Sequence, residues 1–206
     1  MGSLMNFERF PYDRRGMGRS IRALGILLAC LVLPSGCGKQ EPAPYRDGLF
    51  LKYLTTIGGP MGLESGFSVL VRFSPVEGEK LKATFTISAA SPGAQVMVDS
   101  SGPTEKLVDR YGRTDRGKPL FLIGPEEPPL WAPASHLKPG GTVGKGRFDQ
   151  KQHWQKWEVW VAHPDLPVGS ADWYYEAETG FLVGTTFSSM GAGMSTMLVE
   201  TNAEGL

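Results

Sequence analysis

The sequence predicts a mainly β fold: an antiparallel sandwich, or a curved half-barrel or barrel, of about seven to nine strands with little helix. Three observations predict it. The 206 residues carry 27 glycines and 16 prolines, more breakers than a helix bundle tolerates. Apolar residues alternate with polar ones in several runs, the period of a strand with one face in water. Gly- and Pro-containing turns separate those runs. Hydrophobic residues make up 41% of the chain and charged residues 20%, enough apolar side chain for a packed core.

The elements follow in chain order. Residues 49–56 read as a first strand. Phe67, Val69, Val71 and Phe73 share one face of the next, opposite Ser68 and Arg72. Leu81, Ala83, Phe85 and Ile87 share one face of a third, opposite Lys80, Lys82, Thr84 and Thr86. The turn Ser74-Pro-Val-Glu-Gly-Glu79 joins these two into a hairpin whose apolar sets face one core. A short strand is expected at 95–99, after Ser91-Pro92-Gly93. Thr104 to Tyr111 is the one segment where a helix is expected, capped by Thr104 with Leu107, Val108 and Tyr111 on its apolar side. Leu120-Phe-Leu-Ile123 reads as a strand covered on both faces, followed by Pro125, Pro128, Pro129 and Pro133. Residues 157–162 form a strong strand. Trp173-Tyr-Tyr175 and Phe181-Leu-Val183 flank a hairpin turn, Glu176-Ala-Glu-Thr-Gly180, with Gly180 at a left-handed position. The last strand covers 194–200.

The N-terminus has a different composition. Arg9, Arg14, Arg15, Arg19 and Arg22 precede an uncharged run of 11 residues, Ala23 to Leu33, and then Pro34-Ser35-Gly36-Cys37. A spanning helix needs roughly 20 apolar residues, so the run fits a secretory signal peptide. Counting from Met17 gives a signal of ordinary length, which makes Met17 an alternative start. Leu33-Pro34-Ser35-Gly36-Cys37-Gly38 resembles the lipobox of bacterial lipoproteins, with Pro34 standing where that class usually has Leu. The resemblance implies a diacylglyceryl thioether on Cys37, cleavage just before it, and anchoring in the membrane through acyl chains. A second reading puts the modified cysteine at Cys30, after Leu27-Leu28-Ala29, with only seven residues of apolar run before it. A third is a plain cleaved signal without lipid. Gly38 follows the cysteine where enteric-type lipoproteins retained in the inner membrane carry Asp, so the resemblance implies the outer membrane, facing the periplasm.

The expected organisation is therefore a signal peptide at 1–36, a lipidated cysteine and tether at 37–44, one β-rich domain at 45–202, and a short tail at 203–206. Residues 1–36 hold five arginines and two acids (Glu8, Asp13), so cleavage leaves 16 basic and 19 acidic residues, a net charge of −3. No basic excess supports a nucleic-acid partner.

Chemistry-bearing motifs are scarce. Pro139-Gly-Gly-Thr-Val-Gly-Lys-Gly146 lacks the leading Gly and the Ser or Thr after Lys145 that a phosphate loop needs, and reads as a flexible loop. His136, His153 and His163 lack metal-site spacing, and no cysteine remains beside them after cleavage. No Gly-X-Ser-X-Gly elbow is present. Glu126, Glu127, Glu176 and Glu178 fall in turns. Arg110, Arg113, Arg116 and Lys118 share a loop with Asp109 and Asp115. No catalytic residue, metal or cofactor is assigned.

Trp154, Trp157, Trp160, Trp173, Tyr174 and Tyr175 make an aromatic-rich zone. Trp157, Val159 and Val161 share one strand face and Trp160 takes the other. Large aromatics supply pocket and interface energy, so Trp157, Trp160, Trp173 and Tyr174 are the candidate ligand-binding residues. The C-terminal stretch from Trp173 to Asn202 resembles the closing hairpins of LolA/LolB-like envelope proteins, curved sheets that hold acyl chains. The resemblance implies a non-catalytic module for a lipophilic ligand or an envelope protein. The alternative is an envelope hydrolase acting on glycan or ester substrates.

Overall fold

The computed structural model describes residues 40–58, 64–76, 78–89, 103–122 and 127–206. Both cysteines, the signal segment, the strand expected at 95–99 and the end of the 120–123 run lie outside the described residues. Residues 40–206 form one compact unit.

Among the described residues, ten strands make one antiparallel sheet: β1 (Phe50–Gly58), β2 (Glu64–Pro75), β3 (Leu81–Ala89), β4 (Thr104–Val108), β5 (Thr142–Val143), β6 (Gly146–Trp154), β7 (Trp157–Pro164), β8 (Ser170–Glu176), β9 (Leu182–Ser189) and β10 (Ala192–Thr201). Their order across the sheet is β4-β3-β2-β1-β10-β9-β8-β7-β6-β5. Every neighbour is joined in sequence except β1 and β10, whose pairing (Leu51 opposite Thr201 through Gly58 opposite Gly193) brings the two ends of the domain together. The sheet is open and curved, with β4 and β5 at its edges.

Period-2 alternation sorts the side chains. Leu51, Tyr53, Val69, Val71, Phe73, Ala83 and Phe85 are buried on what is here called the inner face. Their register is direct: Val71 stands opposite Leu51 and Phe85, and Phe73 opposite Ala83. Lys52, Arg72 and Thr84 point the other way. The tight turns carry the backbone they need. Met190 (φ 48°) and Gly191 (φ 82°) close the β9–β10 hairpin with two left-handed residues in succession, the arrangement that matches strand twist.

The stretch between β4 and β5 lies on the inner face and fills it. Leu120, Leu122, Leu130 and Ala132 are buried there, and a 3-10 turn follows at Ala134–His136. Backbone bonds lace it to the sheet: Leu182 N–H donates to the Leu130 carbonyl at 3.0 Å, and Ala132 N–H to the Gly180 carbonyl at 2.9 Å. Tyr175 Oη donates to the Pro129 carbonyl at 3.0 Å, and Tyr53 Oη to the Leu182 carbonyl at 2.8 Å. These bonds satisfy carbonyls that would otherwise be buried without a partner.

Three expectations need correction. Thr104–Val108 is an edge strand, not a helix. Its register against β3 (Val108 opposite Leu81, Thr104 opposite Phe85) turns Val108 into the core and sets the Lys106 ammonium 4.8 Å over the Phe85 ring. Pairing and burial outweigh a weak local helix preference. Leu120 and Leu122 are buried as predicted, but in an irregular segment with one isolated bridge, Phe121 to Pro129, and not in a ladder. Residues 139–146, expected as a flexible loop, contain β5 and the start of β6.

Candidate functional site

The four candidate aromatics divide between the two faces of the sheet. Trp173 stands opposite Ala162 and Thr185 on the inner face, and Trp160 stands opposite Tyr175 on the same face. Tyr174 stands opposite Val161 on the outer face, with Trp157 two further positions along that side of β7. No single groove is therefore lined by all four. Trp173 is buried at 4% exposure, its ring filling the space over Gly146, where a Cβ would stand 2.8 Å from the ring. Trp157 is buried too; Trp160 is half-buried.

On the outer face, Trp154 organises the aromatic cluster. Gln155 (φ 54°) and Lys156 turn the chain so that Trp154 pairs with Trp157. The Trp154 ring stacks on Tyr174 (centroids 4.5 Å apart, planes 8° apart) and lies 6.0 Å from Trp157. Beside it is a polar cluster. His163 Nδ1 lies 2.8 Å from Asp172 Oδ1, and Tyr174 Oη donates to Asp172 Oδ2 at 3.3 Å. Burial raises the Tyr174 phenol's pKa; the Thr186 hydroxyl contact works against this and the Asp172 charge with it. His136 Nδ1 lies 2.8 Å from the Thr142 carbonyl. Glu176 is committed to its turn: it accepts from the Glu178 and Thr179 N–H groups and the Thr179 hydroxyl at 3.0, 2.6 and 2.7 Å.

The inner face has a second feature. Toward the β9–β10 turn, beyond the filling segment, apolar side chains stay partly uncovered. Ile87 (β3), Phe67 (β2), Ile57 (β1), Met194 (β10) and Phe187 (β9) come from five consecutive strands. The unbroken registers Val69–Ile87, Thr55–Phe67, Ile57–Met194 and Met194–Phe187 place them on one face. Ile57 is 37% exposed and Ile87 41%; the other three are half-buried. Between this strip and the core runs a buried hydroxyl row, with Thr55 Oγ1 2.9 Å from Thr196 Oγ1 and Thr185 next to it. Alternation marked Phe67 and Ile87 as core-facing. The sequence held no signal for which end of the face the irregular segment would leave open.

Comparison with known proteins assigns no family to the chain. No protein-family model matches the chain. A curated relative, acetaldehyde dehydrogenase 1 of Dechloromonas aromatica (strain RCB), is 24% identical over 143 residues, which take in 66% of this chain and 46% of that enzyme. The chain thus spans less than half the length of the curated relative it matches. Among solved structures, an outer membrane lipoprotein-sorting protein domain from Vibrio parahaemolyticus is similar at a TM-score of 0.26 and 9% identity, over 77% of this chain and 86% of that one. A LolA superfamily protein from Nitrosomonas europaea is similar at 0.27 and 8%, over 78% and 87%. At these values no residue is carried over from either.

Proposed function

We propose that this chain is a lipid-anchored bacterial envelope protein, tethered by acyl chains on Cys37 to the periplasmic side of the outer membrane. In this reading it is a non-catalytic module that binds a lipophilic ligand. The observation that carries the binding role is the apolar strip of Ile57, Phe67, Ile87, Phe187 and Met194, drawn from five adjacent strands and left partly open on a sheet face that is otherwise filled. Uncovered apolar side chains gathered in one place mark binding surfaces more often than scattered ones do. A strip of this kind suits a flexible hydrocarbon chain, which needs contact area and few polar partners. Trp160 shares this face and is half-buried, whereas Tyr174 and Trp157 on the other face are buried at 6% and 8% exposure beneath Trp154. The anchor rests on the lipobox-like residues Leu33 to Gly38.

The distant dehydrogenase relative does not redirect this reading. Dinucleotide binding on an α/β scaffold uses a parallel βαβ unit with a Gly-rich turn. The described strands pair antiparallel throughout. The test is native mass spectrometry of the protein purified from membranes. Co-purified lipid or fatty acid in wild type, and its loss in an Ile57→Glu, Ile87→Glu variant, is the expected result. Ligand retained by that variant would remove the strip from the reading.

A further inference from the structure

The sequence suggests that residues 37–44 are a free tether, but part of that stretch is built into the domain. Ala43 N–H donates to the Arg110 carbonyl at 2.9 Å, and Ser135 N–H donates to Glu41 Oε2 at 3.4 Å. With the Gln40 amide oxygen turned toward the guanidinium, Arg113 Nε and Nη2 each donate to it at 3.0 Å. The Tyr45 ring stacks on Phe73 of the core, centroids 4.6 Å apart and planes 18° apart. Pro42 and Pro44 on either side of Ala43 restrict the backbone and reduce the entropy lost on docking. Only three peptide units then separate Cys37 from Gln40, a reach of about 11 Å when fully extended.

We propose that Gln40–Tyr45 is a docked strap, and that it seats the side of the domain around Arg113, Ser135 and His136 directly on the bilayer surface that the acyl chains enter. The inference rests on Cys37 being the lipid anchor. Charges on this side are mixed: Arg110, Arg113 and Lys138 against Glu41, Glu79 and Asp109. Asp109 is occupied by the Tyr111 and Arg113 N–H groups, each at 2.9 Å. Chain length, not attraction to headgroups, therefore does the seating, and it survives high salt. The strap joins the sheet where β1 begins. The apolar strip lies at the other end of that strand: Ile57 is seven residues from Phe50, about 23 Å. Seating the strap side leaves the strip open to the aqueous compartment.

The experiment uses the processed protein from a lipoprotein-exporting host, with its acyl content read by mass. It is placed in vesicles of phosphatidylethanolamine and phosphatidylglycerol carrying a headgroup nitroxide quencher. Bimane is attached at Ser135→Cys or, as the far-side control, at Met190→Cys, 93% exposed in the β9–β10 turn at the other end of the sheet. The expected result is quenching at position 135 and none at 190, unchanged by added salt. Inserting about twelve Gly/Ser residues between Lys39 and Gln40, with a root-mean-square span of roughly 20 Å, is expected to abolish the difference. Equal quenching at both positions in acylated protein, or a difference that survives the insertion, overturns the seating alone. Protein without acyl groups overturns the anchor and the seating together.

Discussion

The Trp154 ring occupies the space where a side chain on Gly184 would stand. A Cβ built on Gly184 would lie 2.2 Å from Trp154 Cη2 and 2.8 Å from the Thr196 carbonyl oxygen. One residue of β9 is thus bare so that a ring from the end of β6 can cover it and stack on Tyr174. Gly184→Ala is expected to displace the ring and cost about 1–3 kcal/mol, as overpacking does. Urea denaturation followed by tryptophan fluorescence measures both effects. A variant as stable as wild type, with an unshifted emission spectrum, would show that Trp154 moves aside freely.

The hairpins were legible because their signals are local. Phe67 to Phe73 and Leu81 to Ile87 show period-2 alternation, and Gly180 sits where a left-handed residue was expected (φ 71°). β6 was not legible: Arg147, Asp149, Gln150, Lys151, Gln152 and His153 are exposed, and a near-edge strand with solvent on much of its surface shows no apolar alternation. Thr104–Val108 looked helical because pairing with β3 is a non-local fact. The aromatic zone was visible as composition, but its division between two faces depends on register. The open strip depends on where an irregular segment stops, which no periodicity encodes.

Tyr175 ties the filling segment to the sheet through its hydroxyl. Tyr175→Phe keeps the ring, which meets Phe148 edge-on at 5.5 Å, and removes the donor to the Pro129 carbonyl. A buried carbonyl left without its partner costs about 1–2 kcal/mol. The expected loss is of that size, together with faster amide exchange at Leu130, whose N–H donates to the Leu120 carbonyl. Stability within about 0.3 kcal/mol of wild type would contradict a buried, bonded hydroxyl.

Glu127 supplies a pH signature. Burial raises its pKa above the ordinary carboxylate value. The folded state therefore holds this proton more tightly than the unfolded chain does. The associated stability is full below the unfolded carboxylate pKa and is lost as pH rises through the folded one. Glu127→Gln removes the buried charge, so the variant is expected to exceed wild type in stability at about pH 7. The gap is expected to close as pH falls below about 4. Urea midpoints across that range provide the check, and a variant less stable than wild type at neutral pH would reverse the sign.

Cys37→Ser tests the anchor. Acyl chains contribute about 0.8 kcal/mol per buried methylene, and two chains hold a protein where one does not. Labelling with a palmitate analogue is expected in wild type and in Cys30→Ser, and is expected to vanish in Cys37→Ser. Labelling lost in Cys30→Ser alone would move the anchor to Cys30, and none in wild type would leave a plain secretory signal.

Titration of a fluorescent acyl probe into wild type, Ile87→Glu and Arg72→Glu proteins tests the binding claim most directly. Ile87 and Arg72 are both exposed, on β3 and β2, but face opposite sides of the sheet. Both substitutions therefore place a carboxylate in water and spare the core. The expected result is saturable binding by wild type and Arg72→Glu, weakened at least about tenfold in Ile87→Glu, the 1.4 kcal/mol or more that losing a buried apolar side chain implies. Equal affinity in all three proteins, or no binding by wild type, would contradict an acyl-binding strip on the inner face.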